Sequence, residues 1–168
     1  PWGLPHRTAA TQTISATATT PAPLLTRRIP ATGEALPVIG LGTSRTFDVT
    51  STPEARGPLV EVVRTLLAGG GTVIDSSPMY GRAEAVTGEL LGALGRPPVF
   101  TATKVWADGR EAGIRQMEQS LALLGVARID LMQVHNLRDW RTHLATLRDW
   151  REAGRIRYLG ITTSRKEQ

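Results

Sequence analysis

Short strand-like runs recur along this chain about every thirty residues, the length of one strand and one helix. Between the runs, apolar residues follow the i, i+3, i+4 spacing that buries one stripe of a helix. The strand-like runs are 72–74, 99–104, 129–134 and 156–161, and the helical stripes lie at 59–67, 86–94, 114–124 and 144–150. This alternation predicts an α/β fold with a parallel sheet, either doubly wound or a (β/α) barrel.

The glycine pair Gly40 and Gly42 helps to separate these two architectures. The dinucleotide-binding turn of a doubly wound sheet needs a third glycine three residues later, and a helix that opens directly behind it. Here that position is Arg45, and the segment 44–57, which contains Pro53 and Gly57, predicts a loop. We therefore expect the barrel.

The region before the alternating part divides into two. Residues 1–23 are rich in Thr, Ala and Pro, contain no acidic residue and show no period, which predicts a disordered leader. The small residues at 16–18 have the form of a signal cleavage site, but no apolar stretch precedes them. The protein is therefore expected in the cytoplasm or, if an upstream signal was removed, in the periplasm. Extended segments at 24–29 and 35–39 predict a β-hairpin. We expect a single domain over 24–168.

Composition argues against several kinds of protein. No run approaches the roughly 18 apolar residues of a membrane span. The absence of Cys excludes thiolate metal sites, and His6 and His143 are not grouped with His135 as metal ligands would be. The net charge of +5 permits phosphate contacts, but arginine often alternates with acid, as in Arg138-Asp139, which indicates a solvated helix face. We therefore expect no metal, no membrane and no nucleic-acid partner.

Lysine is rare in this chain, because only Lys104 and Lys166 among the twenty cationic side chains are lysines. Lys104 ends a strand-like run. Asp75 and His135 stand at or just after the ends of two other runs, and Tyr80 lies in the loop behind Asp75. Because the C-terminal ends of barrel strands meet at one mouth, we expect the four side chains to lie close together.

The four groups suit proton transfer to an oxygen atom. A phenol has a pKa near 10, and an ammonium about 4 Å away would supply about 4 kcal/mol in favour of the phenolate. We therefore expect Lys104 to lower the pKa of Tyr80, and Asp75 to keep Lys104 charged. His135 would then hydrogen-bond a substrate oxygen beside the phenol.

Most of these residues also have a simpler interpretation. Asp75, directly before Ser-Ser-Pro, suits a turn. Tyr80 suits a core or rim aromatic, and His135 suits a hydrogen-bonded core histidine. Trp106, at the expected mouth, suits a wall residue, and it is also a candidate for the lining of a substrate pocket.

Five motifs coincide with these runs and with the glycine pair. They are Gly40-Leu-Gly-Thr43, Val-Ile-Asp75-Ser-Ser-Pro-Met-Tyr80-Gly81 with Glu84 and Gly88 behind it, Thr103-Lys104, Gln-Val-His135-Asn136, and Arg157-Tyr-Leu-Gly160-Ile161. As a set they resemble the aldo/keto reductase family over residues 24 to about 165. The resemblance implies a (β/α)8 TIM barrel, NADPH as the usual hydride donor with NADH as the alternative, and reduction of small aldehydes or ketones. The implied catalytic residues are Asp75, Tyr80, Lys104 and His135.

The resemblance further implies which residues border the cofactor. They are Gly42, Thr43, Asp75, Asn136, Thr162 and Thr163. About five of eight barrel strands are present, and the phosphate-binding loops of such barrels follow strands seven and eight. We therefore expect the N-terminal part of a longer reductase, inactive alone. The alternative is a nucleotide-sensing regulatory subunit on the same barrel.

Overall fold

The computed structural model describes residues 23–164, so the predicted leader lies outside the described residues except for Pro23. The described chain opens with an antiparallel hairpin of β1 (Thr26–Arg28) and β2 (Ala35–Pro37). Its turn contains Gly33 at a φ of 75°, a left-handed conformation that glycine adopts without steric cost. The predicted hairpin is confirmed.

Five parallel strands form the main sheet. They are β3 (Gly40–Gly42), β4 (Val73–Asp75), β5 (Phe100–Val105), β6 (Ile129–His135) and β7 (Ile156–Thr162). Each strand pairs with the next one along the chain, in the order β3-β4-β5-β6-β7. A doubly wound sheet reverses its strand order at the ligand site, whereas a barrel adds strands in sequence order. The observed order is therefore that of consecutive (β/α)-barrel units.

Four helices cover one face of this sheet. They are α1 (Pro53–Ala68), α2 (Ala83–Ala93), α3 (Arg110–Leu124) and α4 (Trp140–Glu152). The predicted loop over 44–57 is wrong in its last part, because α1 begins at Pro53. The Thr52 side chain accepts a hydrogen bond from the Ala55 amide at 3.3 Å and so caps the helix. Pro53 suits the first helical position, where no amide hydrogen is needed.

Alternate residues of the strands face opposite sides of the sheet. On the helix side, buried apolar residues such as Ile74, Val105 and Met132 pack into two clusters, one beneath α1 and α2 and one beneath α3 and α4. On the other side, alternate residues line a cavity of about 530 Å³; they include Val73, Asp75, Phe100, Ala102, Leu131 and Gln133. Asp75 therefore projects into the concave interior of the sheet.

The hairpin is tied to the N-terminal ends of the strands. Glu34 accepts hydrogen bonds from the side chains of Arg157 and Tyr158 at the start of β7. Arg157 also donates to Asp130, at the start of β6, at 2.7 Å. The hairpin therefore lies at the N-terminal ends of the strands. The candidate functional residues lie at the opposite, C-terminal ends.

Candidate active site

The C-terminal ends of three neighbouring strands carry three of the predicted residues. Asp75 is the last residue of β4, Lys104 is the last but one of β5, and His135 is the last of β6. Tyr80 follows β4 in a turn in which its amide donates to the Ser77 carbonyl at 3.0 Å. The topology thus delivers an acid, a phenol, an amine and an imidazole to one end of the sheet.

A buried ion pair lies at the centre of the site. Lys104 Nζ donates to Asp75 Oδ2 and to the Ser76 carbonyl, both at 2.6 Å. The Lys104 side chain is 5% exposed and that of Asp75 is 37% exposed, so the ammonium is the desolvated partner. A buried cation needs a counterion and hydrogen-bond acceptors, and Lys104 has both.

Gln133 supplies a second contact to the same carboxylate. Its amide Nε2 lies 3.3 Å from Asp75 Oδ1, the oxygen that Lys104 does not contact. Gln133 is absent from the predicted site residues. Its position two residues before His135, and therefore on the same face of β6, is the signal that points to it.

The Tyr80 ring lies beside both Lys104 and His135. Lys104 Nζ is 5.2 Å from the centroid of the phenol ring. The His135 ring meets the phenol ring edge to face, with centroids 6.4 Å apart and planes at 87°. All four predicted side chains therefore meet around one point at the mouth of the sheet.

The expected lowering of the Tyr80 pKa is wrong for this structure. Burial raises the pKa of the phenol above 10.0, and the negative charge of Asp75 raises it further. The expectation gave the larger weight to the charge of Lys104, whereas burial of the phenol is the main cause of the shift and the Asp75 carboxylate adds to it. Tyr80 is consequently a neutral phenol, able to donate a proton across the physiological pH range.

His135 is a neutral imidazole at the same mouth. Burial lowers the pKa of its ring below 6.5, the charge of Lys104 lowers it further, and Asp75 partly opposes both. The residue is 9% exposed, and its Nδ1 atom is buried without a hydrogen-bond partner among the described residues. A buried ring nitrogen without a partner is a position that a bound polar ligand can satisfy.

Two predicted cofactor-binding residues lie where β3 meets β4. Gly42 pairs with Asp75 in the sheet, and the space where its side chain would lie is empty within 4 Å. Thr43 is fully buried, and its hydroxyl contacts the Asp75 carbonyl at 3.0 Å and the Ser76 hydroxyl at 2.9 Å. In this structure Thr43 therefore supports the loop behind Asp75, while the surface at Gly42 stays open.

The other predicted cofactor-binding residues lie at the ends of β6 and β7. Thr162 is the register partner of His135, and Thr163 follows it directly. Asn136 adopts a left-handed conformation with a φ of 51°, and its side-chain oxygen accepts a hydrogen bond from the Ser164 amide at 3.3 Å. Asn136, Thr162 and Thr163 thus flank His135 on the side away from Lys104.

Trp106 is held just beyond the end of β5. Its amide donates to Gln116 Oε1 at 2.6 Å, which fixes the backbone against α3. The Arg138 guanidinium lies 4.5 Å from its ring centroid, and Arg138 also contacts both carboxylate oxygens of Asp108. One face of the indole is therefore covered by Arg138, a cation whose charge is already paired.

The acidic and histidine side chains of the described chain do not form a metal centre. Over residues 23–164, no group of three or more His, Asp or Glu side chains could hold a metal ion. His143 is buried against Gly113 and contacts the Ala107 carbonyl at 2.7 Å, as a core histidine does. Within the same part of the chain, no helix combines the length and apolar character needed to cross a membrane.

Comparison with known proteins agrees with this architecture. The Aldo/keto reductase family profile matches residues 38–168. The aldo-keto reductase YhdN of Bacillus subtilis is 31% identical over 129 residues, which cover 65% of this chain and 38% of that protein.

Solved structures give the same result. An aldo-keto reductase from Klebsiella pneumoniae in complex with NADPH is 29% identical, with a TM-score of 0.68 over 80% of this chain and 48% of its own. A thermostable aldo-keto reductase in complex with the inhibitor epalrestat is 27% identical, with a TM-score of 0.73 over 86% of this chain and 56% of its own. The chain thus spans between 38% and 56% of the length of these relatives. From the profile match and the shared barrel units, the chain belongs to the aldo/keto reductase family.

Proposed function

We propose that these residues form the catalytic portion of a nicotinamide-dependent reductase that converts aldehydes or ketones to alcohols. The observation that carries this proposal is the convergence of Asp75, Tyr80, Lys104 and His135 at one mouth. Membership of the aldo/keto reductase family supports it.

Tyr80 is the proposed proton donor to the carbonyl oxygen. Its raised pKa keeps the phenol protonated before reaction. Addition of a hydride to a carbonyl produces an alkoxide, which is a stronger base than a phenolate, so transfer of the Tyr80 proton is downhill once the negative charge has formed. Lys104 is proposed to position the phenol, since its ammonium lies 5.2 Å from the ring centroid and is itself held by Asp75.

His135 is proposed to orient the substrate. Its lowered pKa leaves a neutral ring with one N–H, which can hydrogen-bond the carbonyl oxygen without competing as an acid. Asp75 contributes through Lys104, because its carboxylate anchors the ammonium. Gln133 donates to the other oxygen of that carboxylate and so helps to orient it. Trp106 is proposed to form a wall of the substrate pocket.

A nicotinamide cofactor, when bound, supplies the hydride. The residues fit such a group, because the surface at Gly42 is open and the buried His135 Nδ1 has no partner within the described chain. We propose that Gly42, Asp75, Asn136, Thr162 and Thr163 border it, with Thr43 behind them. NADPH is the proposed donor, since the Klebsiella pneumoniae relative was solved with NADPH.

We further propose that residues 24–168 are the N-terminal part of one barrel domain. This chain covers only 56% and 48% of the length of these two relatives, and barrels of this class bind phosphate through loops after strands seven and eight. The 168-residue polypeptide alone is then expected to bind NADPH only weakly and to be inactive. Micromolar NADPH affinity in a fluorescence titration of this polypeptide would contradict that expectation.

The function is tested by turnover of an aromatic aldehyde such as nitrobenzaldehyde with the complete barrel protein, followed by the loss of NADPH absorbance. Tyr80→Phe should lower kcat by about 10²- to 10⁴-fold, because it removes only the proton donor, and should leave the Kd for NADPH nearly unchanged. Retained turnover in this variant contradicts the role of the phenol. Tight NADPH binding without turnover of any carbonyl compound favours the regulatory alternative.

A further inference from the structure

Glu84 is a buried acid that the proposed reaction does not use. It lies in the first turn of α2 and is 2% exposed. Its Oε1 accepts a hydrogen bond from the Thr103 hydroxyl at 2.6 Å, and its Oε2 accepts one from the Ser120 hydroxyl at 3.1 Å. One carboxyl group thus joins helix α2 to strand β5 and to helix α3.

A glycine one turn further along α2 explains how Glu84 reaches these partners. A Cβ atom at Gly88 would lie 2.0 Å from the Leu123 carbonyl oxygen, so the two helices are in backbone contact there. Glu84 and Gly88 lie four residues apart on one face of α2, as Ser120 and Leu124 do on α3. The close contact at Gly88 therefore brings Glu84 within hydrogen-bonding distance of Ser120.

The position of Glu84 along the chain connects it to the site. Tyr80 lies four residues before it, and the intervening turn is closed by a hydrogen bond from the Ala83 amide to the Tyr80 carbonyl at 3.1 Å. Thr103 directly precedes Lys104 in β5 and points to the opposite side of the sheet. The bond between Glu84 and Thr103 therefore connects the segment that carries the phenol to the strand that carries the ammonium.

We propose that Glu84 is a positioning residue for the Tyr80–Lys104 pair, and that its buried bond to Thr103 sets the distance between the phenol and the ammonium. This inference rests on the proposed reductase function for its kinetic consequences. The bond holds in either protonation state of Glu84, because a protonated acid can donate to Ser120 while still accepting from Thr103. The role is therefore one of geometry rather than of charge.

Substitutions that keep the shape of the side chain distinguish the effect of the Glu84–Thr103 hydrogen bond from that of packing. Thr103→Val keeps the volume of the side chain and removes the hydroxyl, while Thr103→Ser keeps the hydroxyl. Thr87→Val is the control on α2, because the Thr87 hydroxyl is buried without a hydrogen-bond partner among the described residues. Glu84→Gln keeps both the acceptor for Thr103 and a contact to Ser120.

The first measurement is steady-state reduction by the complete barrel protein. Thr103→Val should lower kcat by about 10- to 100-fold, with the KM for NADPH changed by less than about twofold, because a misplaced donor affects the chemical step. Thr103→Ser, Glu84→Gln and Thr87→Val should stay within about threefold of the unsubstituted enzyme. An unchanged kcat in Thr103→Val overturns the proposal, as does an equal loss in Thr87→Val.

The second measurement does not depend on turnover. The titration of Tyr80 is followed by NMR of isotope-labelled tyrosine in the complete protein, with the signal assigned by its loss in Tyr80→Phe. Thr103→Val should shift the titration midpoint of Tyr80, whereas Thr87→Val should leave it in place. If the unsubstituted protein reduces no carbonyl compound, the proposed function fails, but this titration still decides the role of Glu84.

If Thr103→Val does not fold, Glu84→Asp provides a second test of the same hydrogen bond. This change keeps the acid but withdraws its oxygens from Thr103 by one methylene. It is expected to lower kcat and to shift the Tyr80 midpoint in the same direction as Thr103→Val. Unchanged values of both quantities in folded Glu84→Asp contradict the proposal.

Discussion

The Asp75 carboxylate lies 2.6 Å from the Lys104 ammonium, and the two side chains differ greatly in their access to water. Lys104 is desolvated, while Asp75 keeps about a third of its surface exposed. The phenol keeps a raised pKa beside this cation because burial raises the pKa of Tyr80 and the Asp75 carboxylate raises it further.

The first prediction concerns this ion pair. In the 168-residue chain, Asp75→Ala should lower the free energy of unfolding by about 2–4 kcal/mol, because it leaves a buried ammonium without its counterion. Combining it with Lys104→Met should recover most of that loss. Glu61→Ala, which breaks an exposed pair with Arg64, should cost less than about 1 kcal/mol. Urea denaturation measures all three, and equal costs for the buried and exposed pairs would refute the prediction.

The second prediction concerns the Tyr80 phenol. The chain contains two tyrosines, so Tyr158→Phe leaves Tyr80 as the only phenol to titrate. Its midpoint in ultraviolet difference spectroscopy should lie above 10.0, and Asp75→Asn should lower it by removing the negative charge. A midpoint below 10.0 would contradict this prediction and would mean that the charge of Lys104 is the main influence on the Tyr80 pKa.

The third prediction concerns the His135 ring and pH. Because its pKa is lowered below 6.5, the folded state binds the proton less readily than the unfolded state does. The stability that this provides is complete above pH 6.5 and is lost as the pH falls below 6.5 through the folded pKa. NMR titration should place the His135 midpoint below 6.5, and His135→Phe should flatten the pH dependence of unfolding in that range. A midpoint above 6.5 contradicts the burial argument.

The fourth prediction compares two glycines of α2. Gly88→Ala should lower the free energy of unfolding by about 1–3 kcal/mol or more, because its Cβ would lie 2.0 Å from a backbone oxygen of Leu123. Gly92→Ala is the matched control, since its Cβ would approach only the flexible end of Arg96, at 3.5 Å. It should stabilise the helix by about 0.5–1 kcal/mol. Equal effects of the two changes would argue against the close helix contact.

Much of the fold could be predicted because each unit repeats a local pattern. The four predicted runs correspond to β4, β5, β6 and β7, with ends that differ by one residue. The sequence predicts a loop at the start of α1 because Pro53 and Gly57 disfavour a helix interior, whereas in the structure Thr52 caps the helix and Pro53 suits its first turn. Residue type alone does not separate a helix start from a loop.

The candidate site was less accessible to sequence reasoning. Asp75, Lys104 and His135 stand at strand ends and Tyr80 lies in the loop behind Asp75, which indicated that they meet, because parallel strands end at one edge. The contacts of Gln133 and Glu84 were not indicated, since each depends on a partner at least 19 residues away in sequence. The sign of the Tyr80 pKa shift was also beyond prediction, because it depends on how deeply the phenol is buried and on its closeness to the Asp75 carboxylate.

Two features of this protein follow from its sequence alone: the alternation of strand and helix, and the chemical groups at the strand ends. Both depend on periodicity and residue type, which are local properties. Tertiary structure alone decided that burial and the Asp75 carboxylate keep Tyr80 protonated beside Lys104, and that Glu84 connects two segments of the site. Burial and the pairing of charges arise only when distant parts of the chain come together, and those two quantities control the electrostatics of the site.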